Sequence, residues 1–262
     1  MRTSYYVRAG AFLIAVAIPA LASAADEKPA FAVKTRSIEA TVIIADDLRT
    51  FPGLFEDLLP EGRREVAKWQ RTADTDRKNT PDNFKDGRRY TFDRSYTQRS
   101  ATGRYVSVLR SDYFEMGGAH PNSTVNTILW DAEAKKRVSI RPLFTETADG
   151  GPTLSRMVKN IRAALAVVKR KNDVPVDNPD TDEALGAVEP KLLGIGAVAL
   201  APSTDTAKSS GLIFYYPPYA VGSYVEGAYQ AFIPWTLFKD DLSPAGVALF
   251  SGERPKGDED KD

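Results

Sequence analysis

The sequence has no cysteine and a single histidine among its 262 residues. Without cysteine, the chain cannot form disulfide bonds, bind zinc or iron–sulfur clusters through thiolates, or use a cysteine nucleophile. One histidine also excludes the metal sites with two or three histidines on which many hydrolases depend. We therefore expect no metal and no cofactor, and few residues remain from which a catalytic set could be built.

Long hydrophobic runs are also missing, apart from a short one near the N-terminus. Residues 9–20 form this run; Arg2 and Arg8 precede it, and residues 22–24 (Ala-Ser-Ala) provide a small-residue cleavage pattern. The run is shorter than the roughly 20 residues that span a membrane. We predict that residues 1–24 are a signal peptide that is cleaved rather than retained as an anchor. The protein would then be periplasmic or secreted, with no stable membrane insertion.

Neither sign of charge is in large excess. Without Arg2 and Arg8, 33 basic residues stand against 35 acidic ones, which gives a net charge of −2. Nucleic-acid-binding domains usually carry a basic surface that neutralises phosphates, so we expect no nucleic-acid partner. The hydrophobic content of 42% is enough to fill a globular core.

The spacing of apolar residues predicts both strands and helices. Alternating or β-branched runs indicate strands at 31–44, 89–98, 104–114, 123–130, 192–200, 212–216 and 228–233. Residues 152–171 show the i, i+3, i+4, i+7 pattern of a buried helical stripe, with basic residues, including Lys169, on the exposed side. Helical spacing also begins at Leu54, with a predicted break at Pro60, and residues 71–86 have the polar composition of a loop.

These elements indicate the α+β class, with a mostly antiparallel β-sheet and helices packed on one side. We predict an N-terminal α+β subdomain at 25–116 and a C-terminal one at 117–250. Residues 251–262 are rich in charge and are predicted to be a disordered tail.

The only histidine, His120, follows Gly117 and Gly118 and precedes Pro121. Glycine permits positive φ, and a residue before proline favours extended backbone, so His120 should lie on a tight connection between two strands. Its pKa range would suit a proton shuttle, but a general base needs an orienting carboxylate, and only Glu115 or Asp112 is nearby in sequence. A histidine that merely locks the turn is the other interpretation, and we favour a binding or structural role over catalysis.

Residues 214–229 contain five of the eleven tyrosines. A tyrosine ring has a flat apolar face and a polar tip, which suits protein interfaces and stacking on sugars. About half of these rings would be core residues. We select Tyr216, Tyr219, Tyr224 and Glu226 as candidate ligand-binding or partner-binding residues, together with Gly117, Gly118, His120 and Pro121 from the histidine segment.

Four short motifs follow one another along the chain. They are Gly-Gly-Ala-His-Pro-Asn at 117–122, Ser-Ile-Arg-Pro-Leu-Phe at 139–144, Phe-x-x-x-Pro-Tyr-x-x-Gly-x-Tyr-x-x-Gly at 214–227 and Ile-Pro-Trp at 233–235. This order resembles a bacterial extracytoplasmic domain family of unknown general function. The family is shared by the outer domain of the RsiV lysozyme-sensing anti-sigma factor and the non-catalytic N-terminal part of the PdaC peptidoglycan deacetylase.

The resemblance covers about residues 30–245. It implies an α+β fold outside the cytoplasmic membrane and, from the anti-sigma member, direct binding of lysozyme. It assigns no catalytic residue.

We therefore expect an exported, non-enzymatic binding module of the cell envelope that contacts a cell-wall glycan or a wall-acting protein such as a lysozyme. A glycan hydrolase or deacetylase-like enzyme is the first alternative, and it would pair His120 with Glu115 or Glu226. A structural envelope protein is the second. The binding hypothesis requires the histidine segment and the tyrosine-rich segment to meet on the surface.

Overall fold

The structure is a computed structural model that describes residues 28–259. The predicted signal peptide at residues 1–24 lies outside this range. Across the described residues, no helix is both long enough and apolar enough to cross a membrane.

The first half of the described chain forms a six-stranded sheet whose strands lie side by side in sequence order. The strands are β1 (Phe31–Lys34), β2 (Ile38–Ile44), β3 (Tyr90–Thr102), β4 (Tyr105–Glu115), β5 (Asn122–Asp131) and β6 (Lys136–Val138). All neighbouring pairs are antiparallel except β2 and β3. Those two are parallel because a long helix, α1 (Leu54–Asn79), connects them as a crossover. The predicted hairpin of β3 and β4 is confirmed.

Helix α1 packs one apolar stripe on one face of this sheet. Leu54, Leu58 and Val66 are buried against strand residues of the same core. At Gly62 a Cβ atom would lie 2.7 Å from a methyl group of Val42, so a glycine lets the helix approach the strand closely.

The predicted helix break at Pro60 and the predicted loop at 71–86 are both wrong. Helix α1 continues through Pro60 to Asn79, and a 3₁₀ segment, Pro81–Gly87, follows it. A proline removes one backbone hydrogen bond, but the packed stripe on both sides of Pro60 holds the helix together. The last two turns carry mainly polar residues, and Ala73 is the buried one, so the sequence gives little apolar periodicity there.

The second half of the described chain forms a three-stranded antiparallel sheet and two more helices. Its elements are α2 (Pro152–Lys171), β7 (Ala197–Leu200), β8 (Gly211–Tyr216), β9 (Tyr229–Pro234) and α3 (Pro244–Leu249). The helix predicted at 152–171 is confirmed at both ends. The strand predicted from residue 192 begins only at Ala197.

The two sheets pack against each other, and each carries a long helix on its other face. On one face of the second sheet, Leu212 and Phe214 pack with Ile161 and Leu165 of α2. On the other face, Ile213 belongs to a small core that residues of β4 and β5 complete. The order of layers is α1, first sheet, second sheet, α2. The α+β class and the mostly antiparallel pairing are confirmed, with the strands divided between two sheets.

Hydroxyl side chains of the first sheet bond directly to the backbone of β7. Thr127 Oγ1 accepts from the Val198 amide at 2.9 Å, and Ser107 Oγ accepts from the Leu200 amide at 3.0 Å. Ser100 Oγ donates to the Leu200 carbonyl at 2.6 Å. Strand β7 is an edge strand of its own sheet, so these backbone groups would otherwise lack partners. The three bonds, called here the hydroxyl ladder, fix β7 in position and register against the first sheet.

Two predicted boundaries differ from the structure. Strand β5 pairs with β4 and β6 pairs with β5, so the change from one sheet to the other comes after Val138 rather than at residue 116. Residues 251–259, predicted as part of a disordered tail, pack on the protein, and the carboxylate of Asp258 pairs with Arg99. The charged residues of this segment were expected to remain in water. The Asp258 carboxylate is buried instead, because the buried guanidinium of Arg99 neutralises its charge.

Loss of one hydroxyl from the ladder should weaken the junction of the two sheets. Thr127→Val keeps the side-chain shape but leaves the Val198 amide without its partner, so we expect the free energy of unfolding to fall by about 1–3 kcal/mol. Urea unfolding followed by tryptophan fluorescence measures this change. The control is Ser123→Ala on the same strand, which should change stability by less than about 0.5 kcal/mol. Equal effects of the two substitutions would contradict the ladder's role.

Candidate functional site

Two loops leave the sheets at the same end. The histidine loop is residues 116–121, between β4 and β5, and the tyrosine-rich loop is residues 217–228, between β8 and β9. The first loop ends where β5 begins, at Asn122, and the second begins where β8 ends, at Tyr216. Strand β8 is antiparallel to β7, and the hydroxyl ladder sets how β7 lies along β5. The direction of β8 therefore follows from the ladder.

The register shows this direction in detail. Val198 is level with Thr127, and Leu200 is level with Ser107, which pairs with Leu129 on β5. Going backward along β7 thus leads toward the first residues of β5. Because β8 runs opposite to β7, its C-terminal end points to the start of β5, where the histidine loop lies.

Three aromatic side chains from the two loops form one cluster. The rings of His120 and Tyr224 stack, with centroids 3.9 Å apart and an interplanar angle of 23°. The ring of Tyr219 lies 5.4 Å from that of Tyr224, and its hydroxyl is 3.1 Å from His120 Nε2. Tyr224 also donates its hydroxyl hydrogen to the Pro121 carbonyl at 3.0 Å. We call His120, Pro121, Tyr219 and Tyr224 the aromatic patch.

The hydrogen-bond partners of His120 indicate which ring nitrogen carries the hydrogen when the ring is neutral. Nδ1 lies 2.9 Å from the Pro121 carbonyl oxygen, which can only accept, so Nδ1 carries the hydrogen. In the neutral ring Nε2 is then an acceptor, and the Tyr219 hydroxyl donates to it. Both ring nitrogens are thus engaged within the patch.

Tyr219 is held in backbone geometry that tyrosine rarely adopts. The Ala220 amide donates to the Pro217 carbonyl at 3.0 Å, so Pro217 to Ala220 form a turn with Tyr219 in its third position. The φ of Tyr219 is +73°, and a turn with proline second and positive φ third normally has glycine there. A bulky residue in this region costs on the order of 1–3 kcal/mol. The side chain is nevertheless 59% exposed.

A buried ion pair holds the turn that carries Tyr224. Tyr224 to Glu226 form a single 3₁₀ turn in which Glu226 accepts from the Ser223 amide at 2.7 Å. The other oxygen of the same carboxylate lies 2.5 Å from Nζ of Lys169, whose side chain is only 3% exposed. The Tyr229 hydroxyl donates to this oxygen at 2.9 Å. Helix α2 is therefore tied to the tyrosine-rich loop.

The environment of Glu226 strongly favours its charged form. Burial alone would raise the pKa of this carboxyl, but the Lys169 ammonium and the bonds from Ser223 and Tyr229 lower the pKa to about 2. Gly222 leaves room for this arrangement, because a Cβ atom there would lie 2.6 Å from a Glu226 oxygen.

The predicted site residues divide into two groups. His120, Pro121, Tyr219 and Tyr224 come together at the surface, next to the exposed Gly117 and Gly118. The other two have supporting roles: Tyr216 is buried and donates its hydroxyl to the Ile195 carbonyl at 2.6 Å, and Glu226 anchors the loop.

Lys169 is a supporting residue that the sequence interpretation missed, since it was expected on the exposed side of α2. It lies four residues after Leu165, on the buried stripe of the helix. Helical spacing could therefore have placed it inside, with an acidic partner required.

In the described part of the chain, His120 is not paired with Glu115 or Glu226, the two carboxylates considered for a hydrolase. Within residues 28–259, no carboxylate lies within hydrogen-bonding or ion-pair distance of the His120 ring. Glu226 is bound to Lys169 instead, and Glu115 is exposed. The described residues also contain no group of three or more potential metal ligands of the His, Cys, Asp or Glu type.

The stability that Glu226 provides should depend on pH. The folded protein binds the Glu226 proton less readily than the unfolded chain, so this contribution is full above the ordinary pKa of 4.5 and is lost as the pH falls toward about 2. We expect the difference in free energy of unfolding between the wild type and Glu226→Gln to shrink over that range. Urea unfolding from neutral pH down to pH 2 tests this, with the exposed Glu183→Gln as control. A difference that stays constant with pH would contradict the assignment.

Comparison with known proteins shows that part of the chain is similar to a known family. Residues 143–236 match the family model described as "Protein of unknown function (DUF3298)". This segment contains α2, the second sheet and the tyrosine-rich loop, whereas the histidine loop lies before it. Comparison with curated proteins gave no significant match.

Two solved structures resemble the chain over most of its length. A DUF3298 family member from Bacteroides fragilis has a TM-score of 0.51 and 12% identity, covering 83% of this chain and 93% of its own. A DUF3298 family protein from Pseudomonas aeruginosa has a TM-score of 0.49 and 16% identity, covering 82% of this chain and 88% of its own. At 12% identity, the match to the Bacteroides fragilis protein shows a similar fold alone. In sequence, residues 143–236 of the chain are similar to the DUF3298 domain of unknown function.

Proposed function

We propose that this protein is an exported, non-enzymatic binding module of the cell envelope, and that the aromatic patch binds a cell-wall glycan. The N-terminal pattern at residues 1–24 supports export to the periplasm or beyond. The resemblance to the outer domains of an anti-sigma factor and a peptidoglycan deacetylase supports a place at the cell wall.

The observation that carries this proposal is the conformation of Tyr219. A residue with positive φ, in a turn position that suits glycine, lowers the stability of the fold, yet the ring is exposed and adds little to the core. Strained residues of this kind cluster at binding sites, where the surrounding structure holds them in place. The bond to His120 is what holds this ring.

The arrangement of the rings suits a flat apolar surface. The rings of His120 and Tyr224 stack at an interplanar angle of 23°, and the Tyr219 ring is tilted from them by 33° and 35°, so no pair is perpendicular as two walls of a cage would be. A sugar ring offers such a flat apolar face and can stack on tyrosine, while its hydroxyl groups bond to the phenol oxygens.

A wall-acting protein such as a lysozyme is the second candidate partner. Val225, which directly follows Tyr224, is 82% exposed and adds an aliphatic surface next to the rings. Exposed aliphatic and aromatic side chains together are typical of the core of a protein interface. The resemblance to the lysozyme-sensing anti-sigma factor points to the same class of partner.

A binding role also fits the chemistry of the histidine better than catalysis does. A general base needs a free nitrogen next to a nucleophile and an orienting acidic group. In the patch the partner of Nε2 is a phenol and the partner of Nδ1 is a backbone carbonyl. His120 therefore serves to position Tyr219 and to stack on Tyr224.

Replacement of Tyr219 should separate binding from folding. Tyr219→Gly removes the ring and suits the positive φ, so we expect affinity for soluble peptidoglycan fragments to fall at least about tenfold. The free energy of unfolding should stay the same or rise by up to about 1 kcal/mol. The imidazole signals of His120 in NMR titrations report binding directly, because the chain has no other histidine.

The matched control is Leu193→Ala, which shortens a fully exposed apolar side chain outside the two loops. It should bind like the wild type. Titration with lysozyme in parallel decides between the two partner classes. Unchanged affinity of Tyr219→Gly for both partners, or His120 signals that neither partner shifts, would refute the proposed function.

A further inference from the structure

Arg99 lies at an irregularity in the first sheet and reaches the second one. The pairing of β3 with β4 shifts register between Gln98 and Ser100, which leaves Arg99 as the extra residue of a bulge. Bulges redirect a side chain relative to the regular strand. Here the guanidinium donates to the Tyr215 hydroxyl at 2.7 Å, and only 3% of the side chain is exposed.

The partner of this buried guanidinium is a carboxylate near the end of the described chain. Asp258 accepts two parallel hydrogen bonds from Arg99, at 2.9 and 2.7 Å, and one from Arg254 at 2.6 Å. The Asp258 side chain is 4% exposed. A bidentate pair of this kind matches the planar fork of arginine to the two oxygens of a carboxylate. A buried arginine without such a partner would be strongly destabilising.

The segment that brings Asp258 to this place, residues 251–259, lies on the surface as an irregular chain without a strand of its own. The Glu253 carbonyl accepts from the Thr204 amide at 2.8 Å, and the Gly252 carbonyl accepts from Trp235 Nε1 at 3.1 Å. A cavity of about 280 Å³ remains between residues 255–258 and residues 98–101 of β3. Hydrogen bonds and the ion pair therefore hold the segment on the surface, in the manner of a bound peptide.

We infer that Arg99 and Tyr215 form a carboxylate-binding site in the folded body of the protein, and that Asp258 of the chain's own C-terminal segment occupies it as an intramolecular ligand. The site takes the carboxylate of an acidic peptide segment. When the Asp258 carboxylate is removed, a carboxylate from another molecule binds in its place. This inference is independent of the aromatic patch and its partner.

Asp258→Ala in the full chain removes the carboxylate that occupies the site and leaves room for a small carboxylate. Loss of the buried partner should lower the Tm by roughly 6–20 °C. Added sodium acetate should then raise the Tm of this variant in a saturable way, whereas sodium chloride of equal ionic strength should not. The double variant Arg99→Gln/Asp258→Ala should show no response to acetate.

The matched control is Glu259→Ala, which removes the exposed carboxylate next in sequence. Its Tm should equal that of the wild type, and acetate should raise it no more than it raises the Tm of the wild type. If Asp258→Ala does not fold, Asp258→Ser takes its place, because its short side chain also leaves room for acetate. A synthetic peptide of residues 251–262 is the second probe, and it should stabilise the variant more strongly than acetate does, since it adds the backbone contacts.

Three results would overturn the inference. One is a Tm of Asp258→Ala equal to that of Glu259→Ala, because the Asp258 carboxylate would then make no contribution to stability. The second is an acetate effect that persists without Arg99. The third is an Asp258→Ala variant whose Tm neither acetate nor the peptide raises, because no carboxylate from another molecule would then bind.

Discussion

The position of β7 against the first sheet is the constraint on which the rest of this structure depends. Three hydroxyl groups, on Ser100, Ser107 and Thr127, bond to backbone groups that an edge strand would otherwise leave unpaired. A slip of one residue would turn every side chain of the strand to its other face and displace it by about 3.3 Å. Such a displacement would break the 3.1 Å contact between His120 and Tyr219. The site thus depends on register as well as on its own residues.

Paired polar groups behind the aromatic patch hold the loop that carries Tyr224. Lys169 comes from α2 and Glu226 from the tyrosine-rich loop, so one ion pair links the outermost layer of the fold to the surface turn. Burying two charges is costly, and here bonds from Ser223 and Tyr229 offset part of that cost. A preorganised patch loses little side-chain freedom on binding, which favours affinity.

The sequence predicts those parts of the fold that local periodicity controls. Helix α2 was predicted with its observed ends because its apolar stripe is regular and Pro152 suits the first turn. The meeting of the histidine loop with the tyrosine-rich loop was a condition of the binding hypothesis rather than a result of local patterns, and the two loops do lie together. The continuity of α1 through Pro60 was not predicted, because packing on a sheet overrides the local preference of one proline. The burial of Lys169 was missed because its partner lies 57 residues away along the chain.

The C-terminal segment shows why composition alone misjudges charged residues. A run such as residues 251–262 has too few apolar side chains to build a core, which is the usual argument for disorder. That argument assumes that each charge stays in water. Two ion pairs instead lie largely out of water: Arg99 of β3 with Asp258 of the C-terminal segment, and Lys169 of α2 with Glu226 of the tyrosine-rich loop. Such pairs are more directional than apolar contacts, above all the bidentate one of Arg99, so these charges help to align the layers and loops.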